Sequence, residues 1–167
     1  FFESISPQPY LNNPASESIS PTQAQTAQTY WDTVGKEVAP MLHAAAESGL
    51  TRSRYPIDLS QIEIKNPPHL DELGRLANLL LLEALMACMN DCPHDATEAI
   101  RAMFPLASSL ESEPFLPSKR QYIQILPVIV DALQHSLHHL SMDDSDLAAL
   151  DNCLASTPSL ENQEILL

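Results

Sequence analysis

The chain has 167 residues, 44% hydrophobic but only 5% aromatic, a length that holds one hydrophobic core and not two. Its 22 acidic and 8 basic residues give a formal charge of −14, with no cluster of Lys or Arg standing above that background; this argues against nucleic acid and against an anionic membrane surface as partners. The 3 glycines disfavour phosphate-cradling loops and strand-rich sandwiches, and no apolar run reaches the ~18 residues of a membrane span.

Residues 1–21 carry Pro7, Pro9, Pro14 and Pro21 among Ser, Asn and Gln. Proline removes helical hydrogen bonds and the segment has little to bury, so it reads as a flexible proline-rich arm or linker. The chain opens on Phe1-Phe2, a pair that suits the interfacial end of a membrane anchor. A signal or anchor ahead of Phe1 is therefore expected, and with it an extracytoplasmic or periplasmic, membrane-tethered placement. Phe1, Phe2 and Tyr10 are candidates for contact with a partner.

From Thr22 to Ser48 the pattern is helical, with Ser20-Pro21 as cap and first turn and Gly49 as stop. Pro40 predicts a kink, or two shorter helices meeting near Gly35. The proline-bearing tract Leu50–Pro68 reads as an extended crossover.

His69–Asn90 is the strongest helical segment. Leu70, Leu73, Ala77, Leu80, Ala84 and Ala87 recur at steps of three and four, and Leu79, Leu82, Met86 and Met89 form a second stripe. Apolar on two sides, this helix should be central. Pro93–Ser112 gives another amphipathic helix through Ala96, Ile100, Met103, Ala107 and Leu110, bent at Pro105. In Pro117–His139 the residues Ile123, Leu126, Val130, Leu133, Leu137 and, just beyond, Leu140 make an apolar stripe interrupted by Pro127. A last helix, Asp143–Ser156, opens on Ser141 or Asp143 as its cap.

The expected fold is all-α: residues 22–156 as four to five antiparallel helices in a bundle or a short two-layer α-solenoid, with the irregular arm before them and a tail at 157–167.

Few residues suggest chemistry. His135, His138 and His139 stand three and four apart, at metal-ligand spacing, but His135 and His139 fall on the solvent side relative to the leucine stripe, and a helix C-terminus is itself a reason for histidine. Cys88 and Cys92 lack the two-residue spacer of a haem-attachment sequence and read as free thiols or a local disulfide. Glu83, among leucines, should sit at an exposed edge or pair with Arg101 or Arg75. The Asp143–Asp146 cluster lacks the glycine and distal Glu of a calcium loop. No catalytic residue and no cofactor is assigned, and an enzymatic role is not expected.

The run Arg52-Ser53-Arg54-Tyr55-Pro56-Ile57-Asp58, followed by Pro68-His69-Leu70, Leu73, Arg75-Leu76-Ala77 and Leu79-Leu80, resembles a group of uncharacterised bacterial α-helical proteins. In that group an N-terminal anchor or signal precedes a proline-rich arm and helical hairpins. The resemblance covers about residues 30–155 and implies a tethered extracytoplasmic helical domain, without supplying a catalytic residue. Arg52, Arg54 and Tyr55 join the candidates for partner contact.

The function expected from these features is a non-enzymatic protein-interaction or accessory subunit, membrane-proximal, whose partner is another protein or a membrane complex. Two alternatives stand beside it. One is an apolar small-molecule site in a bundle cavity lined by Leu82, Met86, Met89, Met103 and Leu126. The other is a metal or redox site at the three histidines or at Cys88 and Cys92.

Overall fold

The computed structural model describes residues 21–48, 67–111, 113 and 116–156. The arm, nearly all of the Leu50–Pro68 tract and the tail fall outside the described residues. So do Phe1, Phe2, Tyr10, Arg52, Arg54 and Tyr55.

Every element among the described residues is helical. Helix α1 (Pro21–Tyr30) passes through a π-helical turn (Trp31–Gly35) into α2 (Lys36–Glu47); α3 (Pro68–Met89), α4 (Pro93–Glu111), α5 (Leu116–His139) and α6 (Asp144–Ser156) follow. The expected interruption near Gly35 is thus an extra residue in the helical ladder. At that point a Cβ on Gly35 would stand 2.1 Å from the Trp31 ring, so only glycine lets the indole lie across the following turn. Gly35→Ala should displace this indole, since overpacking costs about 1–3 kcal/mol against about 1 kcal/mol gained in helix propensity. Because Trp31 is the single tryptophan, its emission reports the change directly: a red shift is expected, and an unchanged spectrum would count against the packing.

Three helices contain an interior proline, and each one is placed alike. Pro40 and Pro127 are exposed and Pro105 is partly exposed, while the residues four earlier, Lys36, Ile123 and Arg101, are all exposed. The missing backbone bond therefore falls on the solvent side, where bending away from the core is least costly.

Helix α3 begins with Pro68 in its first turn after an extended Pro67, an arrangement that wastes no N–H. It ends in a Schellman turn: Cys92 N–H bonds the Ala87 carbonyl at 3.0 Å, Asp91 N–H bonds that of Cys88 at 3.3 Å, and Asp91 takes φ 54°. Aspartate tolerates this left-handed position better than most side chains. The three-residue connection folds α4 back against α3.

Helices α3, α4 and α5 pack on one another and form the centre; α2 and α6 both lean on α4, and the π turn on α3. Leu70, Leu73, Ala77, Leu80, Ala84 and Ala87 are buried as expected, as are Ala96, Ile100, Met103, Ala107 and Leu110. Of the second α3 stripe, Leu79 and Met86 are buried and Met89 is exposed. The packing is that of a bundle. It departs from simple successive hairpins at the end, where α6 settles on α4. Asp143 caps α6, its Oδ1 accepting from the backbone N–H groups of Ser145 and Asp146, each at 2.9 Å.

Candidate functional site

The largest departure from expectation is the orientation of α5. Its buried face is Ser118, Tyr122, Ile125, Val128, Ile129, Ala132, His135 and Ser136. The expected stripe points outward: Ile123, Val130 and Leu137 are 57%, 47% and 55% exposed, and Leu116 is 82% exposed. Leu126 and Leu133 are half-buried beside them, and only Leu140 is buried.

Both faces of α5 step by three and four, so periodicity does not choose between them. Shape does. The buried face carries Ser118, Ala132 and Ser136, all fully buried, and small residues let helix axes approach closely. Gln121 lies so near Gly74 of α3 that a Cβ there would sit 2.6 Å from its amide nitrogen, and the Cys88 thiol meets the Ser136 hydroxyl at 3.6 Å. The Leu–Ile–Val ridge has no small member to nest against α3 or α4.

The outward ridge is regular. Leu116, Ile123, Val130 and Leu137 follow one another at intervals of seven, with Lys119, Leu126, Leu133 and Leu140 three residues after each. Those are the a and d positions of a heptad repeat. Over three heptads the line drifts by only about 60° around a straight helix, so it remains on one face. This is the candidate functional site: an a row of roughly 32 Å left exposed among the described residues, with the d-row leucines Leu126 and Leu133 leaning on the core.

A second cluster lies between α2, α3 and α4. His43 Nε2 donates to Glu83, 3.0 Å from both carboxylate oxygens. The expected partners of Glu83 are engaged elsewhere, Arg75 with Glu72 and Arg101 with Glu98; His43, forty residues upstream, lay beyond any spacing rule. Burial raises the Glu83 pKa, and the His43 hydrogen bond opposes that shift without cancelling it. A crevice of about 320 Å³ opens beside this pair, lined also by Trp31, Glu47, Met86, Cys92 and Asp95. The pair orients an imidazole, but the Cys92 thiol in the same crevice turns to the Asn90 carbonyl at 3.4 Å.

The structure does not gather the residues of the small-molecule alternative. Met86 borders the crevice, Met103 is fully buried in the core and Met89 faces solvent. Cys88, Cys92 and Cys153 form no disulfide among the described residues, and burial raises the Cys88 pKa.

Among the histidines, His135 is buried, which corrects the expectation that it faces solvent; the same rotation of α5 carries it inward. His138 and His139 are exposed. The His135 and His139 rings stack at 5.9 Å, and those of His138 and His139 meet edge-on at 4.9 Å. No group of three or more His, Cys, Asp or Glu among the described residues is placed to hold a metal ion.

Burial lowers the His135 pKa, helped by the neighbouring His139, against a weaker pull from Asp131. A depressed folded-state pKa means the folded chain holds this proton less tightly than the unfolded chain. Its contribution to stability is complete above the ordinary imidazole value of about 6.5 and is lost as pH falls through the folded value. Asp131, raised by burial, acts with the opposite sign but in the carboxylate range. Thermal unfolding of the protein and of His135→Leu should therefore diverge below about pH 6.5, the variant losing less. Parallel curves would refute the assignment.

No helix among the described residues is long and apolar enough to cross a membrane. The chain matches no family model, no curated protein and no solved structure. Fold and site define its class: a small acidic helical bundle with a row of apolar side chains at heptad spacing exposed among the described residues.

Proposed function

We propose that this protein is a non-enzymatic helical interaction module, an accessory subunit that docks another protein on the outer face of α5. One observation carries the reading: four large apolar side chains of one helix at heptad spacing, each 47% or more exposed, where α2 and α3 each expose one such side chain and α6 two. Contiguous exposed apolar surface rimmed by polar residues marks an interaction site. Isolated exposed leucines would not; regular spacing over most of a 24-residue helix does.

Tethering belongs to the same proposal. A tether would hold the bundle near a bilayer in an extracytoplasmic compartment. Its support is the proline content of residues 1–21 together with the resemblance noted above.

The test is site-specific photocrosslinking in the native host. A photoreactive residue at Val130 should give a discrete protein adduct, while the same residue at Glu72, exposed on α3, should not. Equal labelling at both positions, or none at either, would defeat the reading.

A further inference from the structure

We propose that α6 is a releasable helix, one that undocks from α4 as a unit while α3, α4 and α5 stay folded together. The inference stands apart from the interaction-module reading and draws on a different part of the bundle.

The attachment is a single stripe. Of the thirteen residues of α6 only Asp146 and Leu150 are buried, whereas α4 beneath it buries ten of nineteen. Cys153 is the third contact, its thiol beside the Arg101 guanidinium and its side chain packed against the core. Asp146, Leu150 and Cys153 stand four and three residues apart, on one face of a helix. Beside that stripe Leu147 and Leu154 remain 43% and 50% exposed.

Two polar contacts set the register. His94 Nδ1 lies 3.3 Å from Asp146 Oδ1, and Arg101, seven positions on in α4, meets Cys153, seven positions on in α6, so the two helices run in the same direction. Neither contact is strong. The Asp146 side chain is 6% exposed but its histidine partner is 77% exposed, so solvent screens the pair, and Arg101 is already bound to Glu98.

Between these points the hydrophobic attachment is thin. The main core cluster joins many side chains of α3, α4 and α5 but takes one buried member, Leu150, from α6. The C-terminal half of α6 is also loosely seated, because Cys153 and Ser156 line a hollow of about 280 Å³ together with Ala46 of α2 and Phe104 and Pro105 of α4. Atoms facing a hollow give up the contacts that close packing supplies. Elements open locally where little buried apolar contact is lost, and undocking α6 forfeits little beyond one leucine. It also removes one wall of the hollow.

The test is native-state hydrogen exchange of the full chain, read residue by residue by NMR. Hydrogen-bonded amides of α6 should exchange at least about a hundredfold faster than those of Leu80, Ile100 and Ile125, through an opening that depends only weakly on urea. Leu150→Ala should speed exchange in α6 at least about tenfold and leave those three sites unchanged, and His94→Ala should act on α6 alone by about threefold. Alkylation by N-ethylmaleimide, mapped by peptide mass, supplies a second readout: Leu150→Ala should speed reaction at Cys153 and not at Cys88, which packs beside Ser136.

Exchange of α6 in step with Leu80, Ile100 and Ile125 overturns the proposal. So does a Leu150→Ala chain that fails to fold or loosens those core sites as much as α6, and so does α6 exchange that neither substitution alters.

Discussion

Ile125→Ala is expected to destabilise the protein by about 2–5 kcal/mol, while Ile123→Ala, two positions away in the same helix, should change stability by no more than about 0.5 kcal/mol. Ile125 is 1% exposed and packs in the cluster that joins Leu80, Ile100 and Tyr122; Ile123 is 57% exposed. The two substitutions delete the same atoms from the same residue type. Their helix-propensity gain on going to alanine is shared, so it cancels in the comparison. What remains is the transfer and cavity cost, which only the buried position incurs. Urea unfolding followed by far-UV dichroism measures both. Equal losses would mean that α5 is rotated from the orientation described here, and with it the seam would disappear as an exposed feature.

The second large effect is expected at the junction of α4 and α5. Glu113 is nearly fully buried in the short connection, and the fully buried Ser118 hydroxyl donates to its Oε2. Its Oε1 has no hydrogen bond among the described residues, though His69 Nε2 at the start of α3 lies 3.5 Å away. Ser118→Ala removes the donor and leaves the acid buried with less compensation, a loss of about 1.5–3 kcal/mol for a bond to a charged group. Glu113→Gln in the Ser118→Ala background should recover part of that loss, because a neutral amide is cheaper to bury than a carboxylate. The double-mutant cycle is the measurement. Strictly additive losses would show that the two side chains do not act together.

Most of the fold was legible in the residues. In α4 the apolar stripe alternates with polar residues, so one face was marked for burial, and in α3 two apolar stripes marked the helix as central. Their boundaries followed from Pro68, Pro93 and the polar connection around Asp91, and Asp143 announced the start of α6. The α1–α2 break near Gly35 was legible as a position; its π-helical form was not, because that depends on where the Trp31 indole lies.

The site was hidden for a different reason. In α5 two apolar faces coexist, and the more hydrophobic one invites assignment to the core. Burial is decided by what fits against α3 and α4, and there Ser118, Ala132 and Ser136 permit an approach that Leu116, Ile123, Val130 and Leu137 do not. The same rotation carried His135 inward. The His43–Glu83 pair was invisible for want of any local spacing that links α2 to α3.

By itself, then, the order of side chains determined the helical class, the element limits and the acidic character of this protein, since all three depend on interactions within a few residues or on simple sums. Only the tertiary structure decided which face of α5 meets solvent and which side chains meet across helices. Those outcomes depend on the shapes of surfaces brought together from distant parts of the chain, and periodicity along one helix carries no information about its neighbours.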